Sequence, residues 1–351
     1  AAEVLDIRGL PFAGDATGSS PNSPAESVAV ADAAALDSAE IIRRIDNRLA
    51  EIWQSAQVSP TPQLSLANRL RRVSMLMTGA SPVDNSAEPA SQIDAWVSRE
   101  VGSQAFARHW AKQFAEQWLS HSSLPLDSEP VAQLKKSLAT HIHSGQPWNE
   151  VANTLLGGPL DVQDTTSPTA TFVTALAGNG NHRLVERLGS GFLDANLGCV
   201  RCHDASDDRR QPSLLANQKG YWTLVALLQG VGTNGKSAIG ERGPVDRQPE
   251  LVAGEKLQLV YFDLLDGRLQ AAEPKLPTGE NWQSVQSAQL PRQALASWIS
   301  QSPQMDLATV NLVWKFIFGK HLVPQIIDID EVAISQREEL QRELAEQFRL
   351  H

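Results

Sequence analysis

The sequence predicts a mainly α-helical fold, built from one or more multi-helix domains with a small β-hairpin or short sheet. Apolar residues recur at helical spacing through most of the chain. Nine tryptophans against two tyrosines put most aromatic burial on indole rings, which pack well between helices. With 351 residues, 42% of them hydrophobic, the chain can bury a large core.

Helices are predicted wherever apolar residues repeat every three to four positions between capping or breaking residues. Ser38 is predicted as the N-cap of the first helix, Gly79 ends the second, and Ser128 with Pro130 begins a later one. The predicted helical segments are 38–52, 66–77, 93–101, 105–119, 130–143, 147–156, 182–193, 220–228, 295–317 with an end at Gly319, and about 332–349.

The predicted β element is confined to one short stretch. Leu257, Leu259 and Tyr261 alternate as the residues of a half-buried strand do. Asp266-Gly267 then supplies a hairpin turn before Leu269. Two or three strands would account for this pattern.

Three regions are expected along the chain. Residues 1–36 are rich in Ala, Ser, Gly and Pro and predict a flexible N-terminal arm. Residues 37–250 are predicted as a helical domain, and residues 251–351 as a short β element with a C-terminal helical domain. Because the chain opens Ala-Ala-Glu without methionine, we interpret it as processed or trimmed.

The formal net charge is −10 at pH 7. An acidic chain is repelled by nucleic-acid phosphates and by anionic membranes, so neither is expected as the main partner. A basic protein is the favoured partner. No apolar run approaches the roughly 20 residues that a transmembrane helix needs.

Both cysteines of the chain lie in Cys199-Val200-Arg201-Cys202-His203. This CxxCH spacing lets two thiols reach the two vinyl groups of one haem while the histidine meets the iron. We therefore expect one covalently attached c-type haem, with Cys199 and Cys202 as its links and His203 as the proximal iron ligand. The predicted helices would surround it.

Three other interpretations of the cysteine pair were weighed. A short disulfide or two buried thiols would leave the adjacent histidine without a purpose. A thioredoxin-like pair needs a strand before the motif, whereas a helical stretch leads into this one. Zinc needs four ligands, and no second Cys/His pair lies nearby in the sequence.

The sixth iron position could be held by histidine or methionine, or stay open to a ligand. His109, in the middle of a predicted helix beside Trp110, is predicted to approach the haem as sixth ligand or as a distal group. The other candidates are His121, His141, His143, His182, His321, His351, Met75, Met77 and Met305.

Four segments in a fixed order carry a resemblance to a known family. They are 70–79 with Arg71-Arg72, 106–110 with Arg108-His109-Trp110, 197–204 around the CxxCH, and 291–324. Together they resemble the exported planctomycete-type cytochrome c proteins, in which two conserved domains of unknown function flank a CxxCH. The resemblance implies a haem, export and a helical fold over about residues 38–350.

The chain departs from the family pattern at several points. The family commonly has Asp-His-Pro after the haem histidine, whereas Asp204 is followed here by Ala205 and Ser206. The family's Asp and Arg-Tyr after its His-Trp pair are also replaced, and the second domain stops early, at His351. A catalytic surface present in relatives would therefore be lost.

The expected function is electron transfer by a mono-haem cytochrome that is periplasmic or otherwise exported, with a redox protein as partner. Two alternatives stay open. One is a haem enzyme or gas-binding protein with an open iron site, which would need a proton donor such as His109 or Arg108. The other is a binding or scaffold module whose haem is structural.

Overall fold

The computed structural model describes most of the chain beyond the N-terminal arm. Residues Leu36–His351 form one compact unit. Residues 1–33 of the predicted arm, the predicted boundary between residues 250 and 251, and Leu257 lie outside the described residues. The described ranges are 34–81, 90–161, 164, 166–177, 181–204, 215–229, 231, 259–285, 290–324 and 331–351, with side chains omitted at 90–92 and 331–333.

The prediction of a mainly helical protein with a small antiparallel sheet is confirmed. Within the described ranges, the helices are α1 (Ser38–Ser55), α2 (Leu66–Thr78), α3 (Ala90–Val101), α4 (Gln104–Trp118), α5 (Glu129–His143), α6 (Glu150–Ala152), α7 (Pro168–Leu176), α8 (His182–Phe192), α9 (Gln218–Leu227), α10 (Pro291–Gln301), α11 (Pro303–Phe318) and α12 (Glu331–Leu350).

The sheet is a two-stranded antiparallel hairpin of β1 (Val260–Asp263) and β2 (Leu269–Ala272). Gly267, with φ +80°, lies in the turn between them and supplies the left-handed conformation that the turn requires. Val260 and Phe262 face the core, whereas Leu259 and Tyr261 are exposed. Leu259 and Tyr261, from which the strand was predicted, therefore lie on its exposed face.

Several predicted helix ends are confirmed. Gly79 and Gly319 end α2 and α11 in the left-handed conformation, and Ser128 precedes α5 with a proline in its first turn. The first N-cap was predicted one residue too late. Asp37, not Ser38, accepts the backbone N–H of Glu40 at 2.8 Å, because the carboxylate is placed to cap the first turn.

Three helical segments differ from the prediction. The segment predicted as one helix from 295 to 317 is two helices, α10 and α11, because Ser302 caps the second helix and Pro303 begins it. The segment predicted as one helix from 147 to 156 begins at Glu150 and passes into a π-helical turn over Asn153–Gly157. Helix α7 was not predicted, because three threonines and a valine lower its intrinsic helix propensity. It is helical because nearly every side chain of Pro168–Leu176 is buried. The stabilisation from this tertiary packing outweighs the low helix propensity of the segment.

The core is organised around an aromatic stripe on α4. Trp110, Phe114 and Trp118 recur every four residues and are all buried. Phe114 packs edge-on against Phe316 of α11, with ring centroids 5.2 Å apart, and Trp118 stacks on Phe192 of α8 at 5.0 Å. Because these rings join three helices, they fix how α8 and α11 sit on α4.

Helix α8 lies close to the end of α4 because a glycine, Gly191, faces Trp118 there. A Cβ atom at Gly191 would come 2.9 Å from Cδ1 of Trp118, closer than side-chain atoms normally approach. At the same end, the Arg187 guanidinium donates to the carbonyls of Gln117 (3.2 Å) and Ser120 (2.8 Å). Those carbonyls lie at the end of α4, where helical acceptors lack intrahelical partners.

A buried polar group joins the end of α8 to the C-terminal helices. The Asn311 side chain donates to Asp194 (2.9 Å) and to the Val323 carbonyl (2.8 Å), and it accepts from the Val323 N–H. Gln341 of α12 donates to the other oxygen of Asp194 at 2.7 Å. Helix α12 in turn packs on α1, where Arg48 and Glu343 form a 2.7 Å ion pair.

Gly189 gives the first testable prediction. A Cβ there would lie 2.5 Å from Cγ of Leu197 and 2.7 Å from the Ala195 carbonyl oxygen. Because a backbone atom cannot give way cheaply, Gly189→Ala should lower the free energy of unfolding by about 1–3 kcal/mol in urea titration. Gly102→Ala is the control, since its nearest neighbour is 3.9 Å away. Equal stability of both variants would contradict the packing.

Candidate functional site

The CxxCH motif forms a single 3-10 turn, Cys199–Arg201, at the surface. The turn follows α8 through a short segment in which Leu197 is fully buried. Val200 is also buried, at 1% exposure, whereas Cys199, Cys202 and His203 are exposed. The two cysteines are free thiols. Burial of Val200 therefore anchors the turn while both sulfurs face outward.

Helix α9 holds this turn from beneath. The side-chain amide of Gln218 donates to the Arg201 carbonyl at 3.2 Å and to the Asp263 carbonyl of β1 at 3.0 Å. The indole N–H of Trp222 donates to the same Arg201 carbonyl at 3.2 Å. The Arg201 carbonyl thus accepts two side-chain hydrogen bonds, which hold the turn against α9.

Asp204 ties the end of the motif to the start of α9. Its carboxylate accepts the backbone N–H of Gln218 at 2.8 Å, while Asn217, the N-cap, accepts from Gly220. A carboxylate at a helix N-terminus also interacts favourably with the helix dipole. The residue after the CxxCH motif therefore stabilises the start of α9.

An aromatic layer lies behind the turn. Trp222 stacks on Phe262 of β1 with centroids 5.7 Å apart and planes 10° apart. His182, the first residue of α8, packs edge-on against Trp222 at 5.4 Å. Its Nδ1 lies 2.8 Å from the Tyr221 hydroxyl. The motif thus rests on α8, α9 and β1 together.

Burial sets the charge state of this layer. Desolvation, with the charge of Arg201 nearby, lowers the pKa of His182 to about 4. Desolvation likewise raises the pKa of the Tyr221 hydroxyl above its usual value. Both groups are therefore neutral near pH 7, and the bond between them joins an uncharged ring to an uncharged hydroxyl.

His203 has the tautomer that a metal ligand needs. Its Nδ1 lies 2.7 Å from the Asp204 carbonyl oxygen. Because a carbonyl only accepts, Nδ1 must carry the hydrogen, which leaves the Nε2 lone pair for a metal. Bonding of the second ring nitrogen to a carbonyl is the usual way in which proteins orient a ligating histidine.

These residues fit a covalently held haem. Two free, exposed thiols stand three positions apart, and an exposed imidazole follows them in the ligating tautomer. A haem attached here would be held by Cys199 and Cys202, with His203 on the iron. Among the described residues, no group of three His, Cys, Asp or Glu side chains could hold a metal ion.

His109 is placed on a different interface. Its ring lies over Gly79 at the end of α2, where an added Cβ would collide with it. Its Nε2 is 3.5 Å from Nε2 of Gln113 on the same helix. Burial, with Lys112 nearby, lowers its pKa. These contacts do not bring His109 to the CxxCH turn, and its approach to a haem stays a prediction.

Of the other candidates for the sixth position, His182 lies in the aromatic layer behind the motif, where it contacts Tyr221 and Trp222. His141 is buried on α5 and its Nε2 lies 3.1 Å from the Pro147 carbonyl. Met305 is buried in the core, and Met75 is exposed on α2.

The side chains that support the turn, Gln218 and Trp222, were not predicted from the sequence. Gln218 and Trp222 reach the Arg201 carbonyl from 17 and 21 residues away. Neither spacing nor hydrophobic pattern signals such a contact. The sequence sign was a polar Asn217-Gln218 pair shortly before the apolar run of α9, which is typical of a capped helix start.

The fold and the site define a mainly helical protein whose CxxCH turn is exposed above helix α9. Residues 44–232, more than half of the chain, match the family model PSCyt2, described as a protein of unknown function (DUF1549). The chain belongs to this family, the planctomycete cytochrome-type domain family. No curated protein and no solved structure matches the chain.

The match includes three of the four resembling segments, including the CxxCH, and ends before the segment at 291–324. None of the helices in the described ranges is long and apolar enough to cross a membrane.

The low pKa of His182 predicts a loss of stability in acid. An unfolded histidine takes up its proton near pH 6.5, whereas the folded chain resists protonation of His182 until about pH 4. Protons therefore favour the unfolded state increasingly as the pH falls from 6.5 to 4. His182→Asn, which keeps a polar partner for Tyr221, should make the free energy of unfolding fall less over this window.

The comparison is made by urea titration at several pH values. Tyr221→Phe is the control, because it removes the hydroxyl but leaves the ring of His182 buried, and it should keep the pH dependence of the wild type. If His182→Asn showed the same slope as the wild type, burial of a neutral imidazole at this position would be disproved.

Proposed function

We propose that this chain is a mono-haem c-type cytochrome, exported to the periplasm or an equivalent compartment, that transfers electrons to a redox protein. Cys199 and Cys202 form the two thioether links, and His203 is the proximal ligand. The observation that carries the proposal is the state of the motif: two exposed free thiols and an imidazole whose Nδ1 is bonded to a carbonyl. When bound, the haem supplies the one-electron couple of its iron.

The chain's own residues have three tasks in this function. Val200 and the two donors on the Arg201 carbonyl keep the turn in one position. The Asp204 carbonyl orients the ring of His203. The neutral His182–Tyr221 pair and the Trp222–Phe262 stack cover the inner side of the turn and exclude water from it.

Exposure of the motif suits exchange of electrons with a protein partner. A cofactor held by Cys199, Cys202 and His203 is attached at the surface, so a partner can reach it without an entry path. The net charge of −10 favours a basic partner through long-range attraction. The resembling segment at 291–324 extends the family pattern beyond the matched residues, which supports the same assignment.

Covalent attachment is tested by replacing both cysteines. The protein is produced with export and haem maturation and then extracted with acidified organic solvent. The wild type should retain its haem, whereas Cys199→Ala with Cys202→Ala should lose all covalently bound haem, because each thiol forms one thioether. Arg201→Gln is the control and should retain the haem. Covalently bound haem in the double variant would contradict the proposal.

Ligation is tested by the optical spectra of histidine variants. His203→Ala should keep the haem attached but change its spectrum, since the thioethers hold the porphyrin while His203 holds the iron. An unchanged spectrum would refute its role.

The sixth position is compared in His109→Ala and His182→Ala. If His109 is the sixth ligand, its removal should convert a low-spin spectrum to high-spin and open the reduced protein to carbon monoxide. If only His182→Ala showed this change, the sixth ligand would be His182 instead of His109. Rapid binding of carbon monoxide by the wild type would favour the open-site alternative.

A further inference from the structure

A groove between α4 and α5 is lined by basic and uncharged side chains. Its cavity volume is about 530 Å³, within the range of small-molecule sites. Arg108 and Lys112 of α4 and Lys135 and Lys136 of α5 all line it, and His143 lies at its edge. None of the residues that line this groove is Asp or Glu, although acidic residues outnumber basic ones by 40 to 30 in the chain.

Among the described residues, acidic partners compensate the positive charge of the groove only in part. Lys135 forms an ion pair with Glu116 at 2.9 Å, and Arg108 bonds the neutral amide of Gln104 at 3.3 Å. Lys112 and Lys136 are exposed. The charges of Arg108 and Lys112 stand one helical turn apart, a like-charge spacing that destabilises a helix. An anion between the two helices would relieve this repulsion.

The floor of the groove is apolar. Ala107 is buried at its base, and Ala139 and Ala132 extend the surface along α5. Methyl groups leave space that larger side chains would fill, and the methylene stems of Lys112 and Lys136 add apolar contact at the sides. Charged groups at the rim and methyl groups below suit a ligand that has anionic ends and an apolar body.

We propose that the α4–α5 groove binds a small organic anion that carries at least two negative charges, as carboxylate, sulfate or phosphate, on an apolar body. Lys112 and Lys136 contact the charges from opposite helices. Arg108 and Lys135 add field and hydrogen bonds, and the alanine floor contacts the apolar part. The site is separate from the CxxCH turn and requires no haem.

The test uses naphthalene disulfonate as the probe in calorimetric titrations of the full chain at low ionic strength. It should bind more tightly than inorganic sulfate, which lacks the apolar body, and more tightly than naphthol, which lacks the charge. Lys112→Glu with Lys136→Glu should weaken its binding by about tenfold or more, because two attractions become repulsions.

The matched control is Arg69→Glu with Arg72→Glu. This pair changes the net charge by the same amount at two exposed positions of α2 outside the groove, and it should keep most of the affinity. Equal weakening by both pairs would mean that the probe senses only the overall charge, and the proposal would fail.

A second variant tests the apolar floor without touching the cations. Ala132 is exposed at the groove, so Ala132→Phe should fill the space without disturbing the core, which an unchanged thermal transition would verify. It should weaken naphthalene disulfonate and leave inorganic sulfate unaffected. Sulfate binding as tight as the disulfonate, or binding of polyglutamate in its place, would overturn the proposal in favour of a simple ion site or an acidic polypeptide.

Discussion

Helix α8 can occupy its place only because two of its positions lack side chains. Gly191 admits the indole of Trp118, and Gly189 admits Leu197, the residue two positions before the first cysteine. Phe192 then stacks on Trp118, and Arg187 closes the end of α4. The segment that follows α8 therefore packs against α8 itself, and the motif begins two residues after the buried Leu197.

The motif combines an immobile backbone with reactive side chains that point away from it. The Arg201 carbonyl accepts hydrogen bonds from Gln218 and Trp222. The carboxylate of Asp204, directly after the motif, accepts the backbone N–H of Gln218 at the start of α9. Each such bond contributes about 0.5–1.5 kcal/mol net. A turn held in this way has little freedom to lose when a cofactor binds, and preorganisation of that kind strengthens binding. The exposed thiols remain accessible for attachment.

Prediction from sequence succeeded where a local rule decides the outcome. Capping glycines and prolines fixed the ends of α2, α5 and α11, because backbone conformation follows from those residues alone. It failed at α7, whose β-branched residues are helical through burial on all sides.

The same division holds for the site. The CxxCH could be recognised because its chemistry depends on spacing within five residues. Its support could not, because Gln218 joins Arg201 to Asp263 of the hairpin, 45 residues farther along the chain. No local pattern encodes that meeting. The π-helical turn after α6 shows the same limit, since α10 packs against it from over a hundred residues away.

The cationic groove and the CxxCH turn are built from different helices, which bears on why so large a helical body carries a single CxxCH turn. The groove belongs to α4 and α5, whereas the turn rests on α8, α9 and the hairpin. The two regions are joined through the end of α4, where Arg187 of α8 binds the last carbonyls and Trp118 meets Phe192. A rigid link of this kind can transmit strain only if an element has two stable arrangements. The tight fit of Gly191 against Trp118 leaves little room for a second arrangement, so the geometry favours independence of the groove and the CxxCH turn.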